Sequence, residues 1–294
     1  MKLTLKQLLV FKIVAQCGNL SQAAGQLFMT KGAVSQTLGE VENRLDIKLF
    51  DRHHGRLFIN HEGRRLLPLA DELLTRVDDI DELFSTGDPS LRLGGSKTIG
   101  GYLLPSLLSD FRHRYGWLPE VVIDNSEGLR KRLLNFELDL ALIEGEVNDE
   151  DLQVTAWRQD EMVIICPAGD PLAQGENVPL SALEDRQWIL RETGSGSRND
   201  FEHQLAPLLT KPKIVLALED FDAILFCVQQ RLGLTFASRL LIDQPCFAGH
   251  FSQIPTQQRF FRTLSLCHHR QKYLSDSVGV WIRFLHAQRG DSTI

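Results

Sequence analysis

Residues 21–67 read SQAAGQLFMTKGAVSQTLGEVENRLDIKLFDRHHGRLFINHEGRRLL, and the pattern of this stretch predicts the structure of the N-terminal part of the chain. Apolar residues recur at helical spacing in residues 21–28 and again in residues 31–45, with a tight turn between the two. Ala23 and Ala24 are small, which lets two helices pack closely. In a helix-turn-helix, the second helix lies in the major groove of DNA while the first contacts the backbone. The pattern therefore predicts a DNA-binding unit, with a plain helical bundle as the alternative.

The sequence on either side of this unit completes a small head, predicted as residues 1–60. Upstream, Thr4 can cap a first helix that stops near Gly18. Downstream, residues 49–60 are typical of a short β-ribbon that turns at Gly55. A ribbon beside a helix-turn-helix is a wing, so the head is predicted to be a winged helix-turn-helix domain.

Charge is divided unevenly along the chain, whose formal net charge is −6. Residues 1–65 contain ten lysine and arginine residues and five aspartate and glutamate residues, a balance of +5 that leaves −11 for the remainder. A basic head on an acidic body is typical of a protein that binds nucleic acid through the head. Double-stranded DNA is therefore the predicted partner of the head.

A long helix is predicted to follow the head, over residues 61–84. Its apolar residues are spaced alternately four and three positions apart, which is the pattern of a coiled-coil seam. We expect the seam to join two copies of the chain, as a dimer or a dimer of dimers; an amphipathic helix packed on its own chain is the alternative. The predicted seam residues are Leu66, Ala70, Leu73, Val77, Ile80 and Phe84. Residues 85–90 are rich in turn-forming residues and are predicted to be a hinge.

Residues 91–294 alternate strand and helix patterns, which predicts an α/β domain whose sheets are covered by helices. The region is long enough for two lobes, predicted as lobe I, about 91–165 and 267–294, and lobe II, about 166–266. A two-lobed α/β plan is shared with periplasmic binding proteins. A solute-binding or transport module is therefore the alternative to a regulator, although such a module would carry a secretory signal and no basic head.

The stretch quoted above resembles the N-terminal domain of LysR-type transcriptional regulators. The matching elements lie at the family's spacing and are Ala23-Ala24, Leu27, Ala33-Val34-Ser35, Glu42, Leu45, Leu49-Phe50, Arg52 and Gly63. The rest of the chain is similar to the family plan through Asp139-Leu140-Ala141, Asp170-Pro171-Leu172-Ala173 and Leu232-Gly233-Leu234. The resemblance implies a winged helix-turn-helix with a long linker helix, followed by a two-lobed α/β effector-binding domain of periplasmic-binding-protein type. It also implies antiparallel pairing of linker helices between subunits, and an effector held between the lobes by a Ser or Thr near the first strand.

Polar residues early in the third helix are predicted to contact DNA. The family usually has Gln before Ser or Pro at the start of this helix, whereas this chain has Lys31 and Gly32, so its operator is expected to differ. Ser35 and Gln36 lie one turn into the helix, where side chains reach base edges. Phosphate contacts are predicted for the turn and the wing. The full predicted set is Thr30, Lys31, Ser35, Gln36, Arg52 and Arg56.

Two strand-to-helix junctions in the second domain, residues 91–100 and 188–198, combine glycines, hydroxyl side chains and cations. Backbone N–H groups freed by glycine, together with hydroxyls at a helix N-terminus, suit a small anion, whereas ordinary helix capping is the alternative. Because one junction falls in each predicted lobe, we expect a cleft between them that binds a small anionic or strongly polar effector. The predicted effector-binding residues are Ser96, Lys97, Thr98, Asn125, Glu144, Arg191, Ser195 and Ser197.

Enzyme, metal and membrane functions find no motif in the sequence. There is no Gly-x-Gly-x-x-Gly fingerprint, Walker loop or Gly-x-Ser-x-Gly elbow, so no catalytic residue and no cofactor is predicted. His268 and His269 are adjacent and would point to opposite faces of a strand, which disfavours a metal site. Five widely spaced cysteines indicate free thiols. Without a secretory signal or an apolar run of about 18 residues, the chain is predicted to be cytoplasmic, with no membrane partner.

Overall fold

The structure is a computed structural model that describes residues 3–84 and 88–288. Its architecture has three parts, which are a helical head with a β-ribbon, a long helix, and a two-lobed α/β domain. This architecture confirms the predicted fold class. The first residues of the predicted hinge, 85–87, lie outside the described residues.

Side-chain hydrogen bonds begin each of the three helices of the head. The Thr4 hydroxyl accepts from the Gln7 backbone N–H, and the Gln7 side chain accepts from the Thr4 N–H, which completes a capping box. Asn19 and Thr30 cap the second and third helices. The antiparallel wing turns at Gly55, which takes the left-handed backbone conformation at φ +78°. The head comprises α1 (Leu5–Cys17), α2 (Leu20–Gln26), α3 (Lys31–Leu45), β1 (Phe50–His53) and β2 (Arg56–Ile59).

The long helix α4 (His61–Phe84) packs its first half against the head. Leu67 and Ala70 are buried in the same apolar cluster as Phe11 and Val14 of α1. Further along α4, large apolar side chains are exposed. The helix therefore leaves the head with apolar surface that this chain does not cover.

Strands and helices alternate through the α/β domain, as the sequence predicts. Its first part contains β3 (Arg92–Ser96), α5 (Lys97–Tyr102), α6 (Leu104–Tyr115), β4 (Glu120–Asp124), α7 (Ser126–Leu134), β5 (Leu140–Glu144) and β6 (Leu152–Pro167). Its second part contains β7 (Gln187–Arg191), α8 (Gly196–Asp200), β8 (Lys213–Leu218), α9 (Phe221–Gln229), β9 (Thr235–Ser238), α10 (Arg239–Ile242), β10 (Phe251–Gln253), β11 (Phe260–His269) and α11 (Asp276–Ala287).

One mixed sheet of seven strands runs through the domain in the order β10-β6-β11-β5-β3-β4, with β9 paired to β6. β3 pairs in parallel with β4 and β5, so the carboxyl ends of these strands lie at one edge. β6 pairs with β11 and, further along, with β9, so these long strands connect lobe I with lobe II. The β7–α8 junction of lobe II faces that edge, since the Glu127 backbone N–H donates to the Gly194 carbonyl at 3.1 Å.

Each lobe has its own aromatic core. In lobe I the rings of Phe111 and Trp281 lie 4.5 Å apart between their centroids. In lobe II the rings of Trp188 and Phe201 lie 5.1 Å apart. The contact between the lobes is polar by comparison, and this is where the predicted effector residues meet.

Candidate DNA-binding head and effector cleft

The outer face of α3 presents polar residues that are predicted to contact DNA. The apolar face of this helix is buried in the head, which leaves Gln36 exposed and Ser35 half-buried. Gln36 Nε2 donates to Glu40 Oε1, one turn further along, at 3.2 Å. The Thr30 hydroxyl accepts from the Ala33 backbone N–H, so this side chain already serves as the cap of α3.

Three exposed cations of the head are candidates for contacts with DNA, namely Lys31 at the start of α3 and Arg52 and Arg56 on the wing. Within residues 3–84 and 88–288, none of the three forms an ion pair. They are therefore available for phosphate oxygens. Sequence reasoning missed Phe28, in the turn before α3, whose side chain is 98% exposed. Its only signal is an apolar residue in a turn between two amphipathic helices.

The exposed apolar face of α4 coincides in part with the predicted seam. The exposed or half-buried members of that seam are Leu66, Leu73, Val77, Ile80 and Phe84. Ala70 is fully buried against the head of its own chain, and half-buried Leu66 packs against the same cluster. Leu69 and Leu83, which the predicted seam omits, are exposed on the same helix. The residues spaced four and three positions apart thus include some that pack against the head of the same chain and others that form an exposed apolar face.

The interlobe cleft contains a buried charge cluster centred on Arg262 of β11, which we call the Arg262 cluster. The Arg262 Nε donates to Asp160 Oδ2 at 2.7 Å, and its Nη atoms reach Asp200 Oδ2 at 3.3 Å and Glu144 Oε2 at 3.5 Å. Burial raises the pKa of Asp200, and nearby Glu144 adds to that effect, while Arg262 opposes it. Sequence reasoning missed Arg262, Asp160 and Asp200, whose only signal is a charged residue next to or within an apolar stretch.

Four of the predicted effector residues belong to this cluster. The Ser96 hydroxyl donates to Glu144 Oε2 at 3.0 Å, and the Ser197 hydroxyl lies 3.5 Å from Glu144 Oε1. Arg262 donates to the hydroxyls of Ser197 and Thr98 at 2.9 Å and 3.3 Å. The cluster therefore joins both lobes, and these hydroxyls are engaged with protein partners.

A second group of predicted residues lies at the β7–α8 junction. Arg191 is buried, its Nε and Nη2 donate to the Glu192 carboxylate at 2.8 Å and 2.9 Å, and its Cζ lies 4.6 Å from the ring centroid of Phe221. Its remaining nitrogen, Nη1, and the Ser195 hydroxyl are buried, and neither has a hydrogen-bond partner in the part of the chain that the structure describes. Two buried donors at one junction are thus left unpaired.

The last two predicted residues, Lys97 and Asn125, make contacts across the cleft. Lys97 Nζ of lobe I lies 3.1 Å from Asp220 Oδ1 of lobe II. Asn125 Oδ1 caps α7 by accepting from the Gly128 N–H, and its Nδ2 donates to Glu192 Oε1 at 3.0 Å. All eight predicted residues therefore gather where the lobes meet. Those in the Arg262 cluster are paired with protein groups, whereas the β7–α8 junction keeps two free donors.

A cavity of about 940 Å³ adjoins the Arg262 cluster and is open to solvent. Both lobes line it, through residues that include Ser126, Asn148, Gly194, Asp200, His203 and Arg262. Its volume suffices for a small metabolite. Arg191 and Ser195 lie outside this cavity, in the closed part of the interlobe contact.

The histidine pair and the cysteines form no metal site among the described residues. His268 Nδ1 contacts the His269 carbonyl oxygen, and the His269 ring lies 4.3 Å from the Phe136 ring. The five cysteines are free thiols. Among the described residues, no group of histidine, cysteine, aspartate and glutamate has the arrangement of a metal site. No helix of the described ranges is long and apolar enough to cross a membrane.

Both domains match known protein families. The family described as bacterial regulatory helix-turn-helix protein, lysR family, matches residues 5–64, and the family described as LysR substrate binding domain matches residues 86–290. The HTH-type transcriptional regulator YeiE of Escherichia coli (strain K12) is 37% identical over 280 residues, which cover 95% of each chain.

Two solved structures show the same fold. Full-length OxyR of Pseudomonas aeruginosa has a TM-score of 0.74 at 20% identity, and the match covers 97% of this chain and 95% of that chain. The regulatory domain of CcmR from Synechocystis PCC6803, in complex with 2-PG, has a TM-score of 0.64 at 26% identity. The match covers 69% of this chain and 98% of that chain. These comparisons support neither an enzyme nor the solute-binding and transport alternative.

Proposed function

The chain belongs to the LysR family of DNA-binding transcriptional regulators, and from that premise we propose that a small anion held between its two lobes changes how the head contacts DNA. The observation that carries this proposal is the pair of free donors at the β7–α8 junction. Arg191 Nη1 and Ser195 Oγ are buried without a partner among the described residues. A buried donor left unpaired costs about 1–3 kcal/mol, so a ligand that accepts from both is favoured there.

The charge balance makes this junction a better place for an oxyanion than the part of the cleft around Arg262. Arg191 is paired with Glu192 and Lys97 with Asp220, so the two cations here are balanced by two carboxylates. A carboxylate, phosphate or sulfate offers several acceptor oxygens to such donors. The Arg262 cluster holds three carboxylates around one guanidinium, which repels an anion. We therefore assign the charged group of the effector to Arg191 and Ser195, and an uncharged polar part to the side of Ser96. All three residues are buried, so this assignment requires the lobes to part when the effector enters.

For the head, we assign α3 to the major groove and the wing to the backbone. Gln36 and Ser35 are exposed or half-buried on the outer face of α3, so they are the proposed base contacts. The proposed phosphate contacts are Thr30, Lys31, Arg52 and Arg56. Thr30 would contribute while capping α3, since a hydroxyl can accept one hydrogen bond and donate another.

We assign the exposed face of α4 to a second copy of this chain. Leu73, Ile80 and Phe84 lie along it, and a helix with such a face buries it against another helix. A two-fold pair of heads would then contact two half-sites of DNA. We place this regulator in the cytoplasm, the compartment that holds the DNA it binds.

Thermal unfolding of the full chain with inorganic phosphate, sulfate and small carboxylates tests the effector site. Binding to the folded state raises the melting temperature by mass action. Arg191→Gln and Ser195→Ala each remove a donor, so calorimetric titration should show about tenfold weaker binding or more. Ser181→Ala, at an exposed serine of lobe II, is the matched control. Wild-type affinity in Arg191→Gln would contradict the assignment.

Two substitutions test the head on an operator selected from random DNA. Gln36→Ala should lower operator affinity by about 1–3 kcal/mol and leave random DNA unaffected. Arg56→Ala should weaken binding to every sequence and reduce the slope of log K against log salt by about one. Equal losses on both DNAs would rule out base reading by Gln36, and an unchanged slope would rule out a phosphate contact by Arg56.

A further inference from the structure

A second buried charge cluster lies where the head, α4 and lobe I meet, and we call it the Asp71 junction. Asp71 of α4 is fully buried. Its Oδ1 lies 2.7 Å from Nζ of Lys12 on α1, and its Oδ2 lies 2.6 Å from Nζ of Lys272, just after β11. Lys272 also lies 2.8 Å from Asp139 Oδ1, and Asp139 in turn binds Arg92. Positive and negative groups therefore alternate from the head, through α4, into lobe I.

Apolar and backbone contacts at the same place hold the head on lobe I. Phe136, in the turn after α7, is buried in the apolar cluster of the head. It takes the left-handed backbone conformation at φ +56°, which is strained for a bulky residue and persists only where its surroundings enforce it. Gln16 of α1 donates to the carbonyl oxygens of Asn135 and Phe136, both at 3.2 Å. The head is thus docked on lobe I through specific groups.

Three neighbouring strands, β11, β5 and β3, connect the Asp71 junction with the Arg262 cluster. Each carries a residue of the cleft cluster at or near one end and a residue of the junction at or near the other. The pairs, cleft residue first, are Ser96 with Arg92, Glu144 with Asp139, and Arg262 with Lys272. Strands bonded to each other in one sheet shift together, so a displacement at one end reaches the other.

We propose that the Asp71 junction is a latch through which the state of the cleft controls the position of the head. In the docked state its charges are paired as described, and in the released state the head moves free of lobe I on α4. An occupant of the cleft that disturbs the bond between Ser96 and Glu144 shifts β3 and β5 together. This shift draws Asp139 away from Lys272, and it draws Arg92 away from Asp71 and from the Phe136 carbonyl. The latch rests on the proposed function, because it is the route from effector to head. The latch requires that docking of the head on lobe I be more stable in one state of the cleft, occupied or empty, than in the other.

Hydrogen exchange of the full chain, followed by mass spectrometry, measures docking without any ligand. The readouts are the last turn of α1 and the turn of residues 134–139. Lys272→Met removes the central cation and keeps a long side chain, so exchange at both places should speed up by about tenfold or more. Lys131→Met is the matched control, since Lys131 is exposed on α7 of the same lobe. Unchanged exchange in Lys272→Met would overturn the latch.

Lys272→Arg separates release of the latch from loss of the fold. It keeps the positive charge, so exchange at the two readouts should stay near the wild-type rate. Acceleration in Lys272→Met should be confined to the junction. Fast exchange throughout the chain in that variant would show a general structural role and would overturn the proposal.

A cleft substitution tests whether the latch responds to the cleft. Ser96→Ala removes the hydroxyl that donates to Glu144 and should speed exchange at the end of α1 by about threefold or more. In a Lys272→Met background it should have no further effect there. Ser106→Ala, in α6 of the same lobe, is the control, because its hydroxyl donates to the Leu103 carbonyl of the preceding turn and not to a residue of the cleft. An effect confined to the cleft, or an equal effect in both backgrounds, would overturn the route.

The latch and the proposed effector site fail in different experiments. Titration with phosphate, sulfate and carboxylates decides whether the cleft binds an anion, whereas hydrogen exchange decides whether Ser96 and Lys272 are coupled. Coupling without anion binding would refute the effector assignment alone. Anion binding without coupling would refute the latch alone.

Discussion

The Arg262 cluster and the Asp71 junction occupy opposite ends of the same strands and have opposite charge balances. In the first, one guanidinium faces three carboxylates, and in the second, three cations share two carboxylates. Burial raises the pKa of Asp200 in the first, and burial lowers the pKa of Lys12 in the second. Protonation of carboxylates at low pH therefore reduces the excess negative charge at the cleft and increases the excess positive charge at the junction. The two clusters are both buried, but they have opposite excess charge and respond to a fall in pH in opposite ways.

The largest effect is expected from removing the single cation of the cleft. Arg262→Met leaves three buried carboxylates without their shared partner, so the free energy of unfolding should fall by about 3–5 kcal/mol. Urea denaturation of the full chain measures it. Arg259→Met is the control, because Arg259 is 65% exposed and its pair with Glu161 contributes less than about 1 kcal/mol. Similar losses in the two variants would contradict a central role for Arg262.

A smaller loss of stability is expected from removing the charge of Asp71 at the junction, because its two lysine partners can be stabilised in other ways. Asp71→Asn leaves Lys272 paired with Asp139, and Lys12 can release its proton, so the free energy of unfolding should fall by about 2–3 kcal/mol. Asp81→Asn, at an exposed position of the same helix, should have almost no effect. Equal stability of the two variants in urea would show that the junction does not stabilise the fold.

Asp139 makes the junction sensitive to acid. Burial alone would raise the pKa of Asp139, but Lys272 and Arg92 lower it to about 2. A lowered pKa stabilises the fold above the ordinary value near 4, and this contribution is lost as the pH falls towards 2. Asp139→Asn should therefore cost about 2 kcal/mol at pH 7 and about half of that at pH 3. Urea titrations at both pH values measure the difference, which would stay constant if the carboxylate charge were unimportant.

The smallest effect, of opposite sign, is expected from Asp200. A raised pKa means that the folded chain gains stability as the pH falls through that pKa, and that the ionised carboxylate is unfavourable at pH 7. Asp200→Asn should raise the free energy of unfolding at pH 7 by less than about 1 kcal/mol, and the gain should shrink in acid. Asp185→Asn, at an exposed site of lobe II, is the control. A loss of stability at pH 7 would show instead that the ionised Asp200 carboxylate stabilises the cleft.

The head, the strands and the long helix could be predicted because their signals lie within short windows of sequence. Thr4 and Gln7 form their capping box three residues apart, and Gly55 marks the turn of the wing. The spacing of apolar residues on α4 shows that the helix has an apolar face. It does not show what covers that face, so Ala70, buried against the head, and Leu73, exposed, look alike in sequence.

The charged clusters could be predicted only in part. Ser96 and Glu144 stand at strand ends, where polar residues indicate a site, and the structure brings them together. Arg262 lies 65 residues from Ser197, and Lys272 lies 201 residues from Asp71. No local pattern pairs residues so distant, because their burial and their partners are set by the tertiary fold.

The proposed latch draws its residues from both domains, so we expect that exchanging the effector domain of this chain alone would not carry the response to a new ligand over to the head. A chimeric biosensor that keeps residues 1–84 retains Lys12 and Asp71 but loses Lys272 and Asp139. Asp71 would then keep Lys12 as its partner but lose Lys272, and the proposed latch predicts that the foreign domain binds its inducer without moving the head. A working graft must supply a cation at the position of Lys272, so reporter design with this scaffold begins at the Asp71 junction rather than at the cleft.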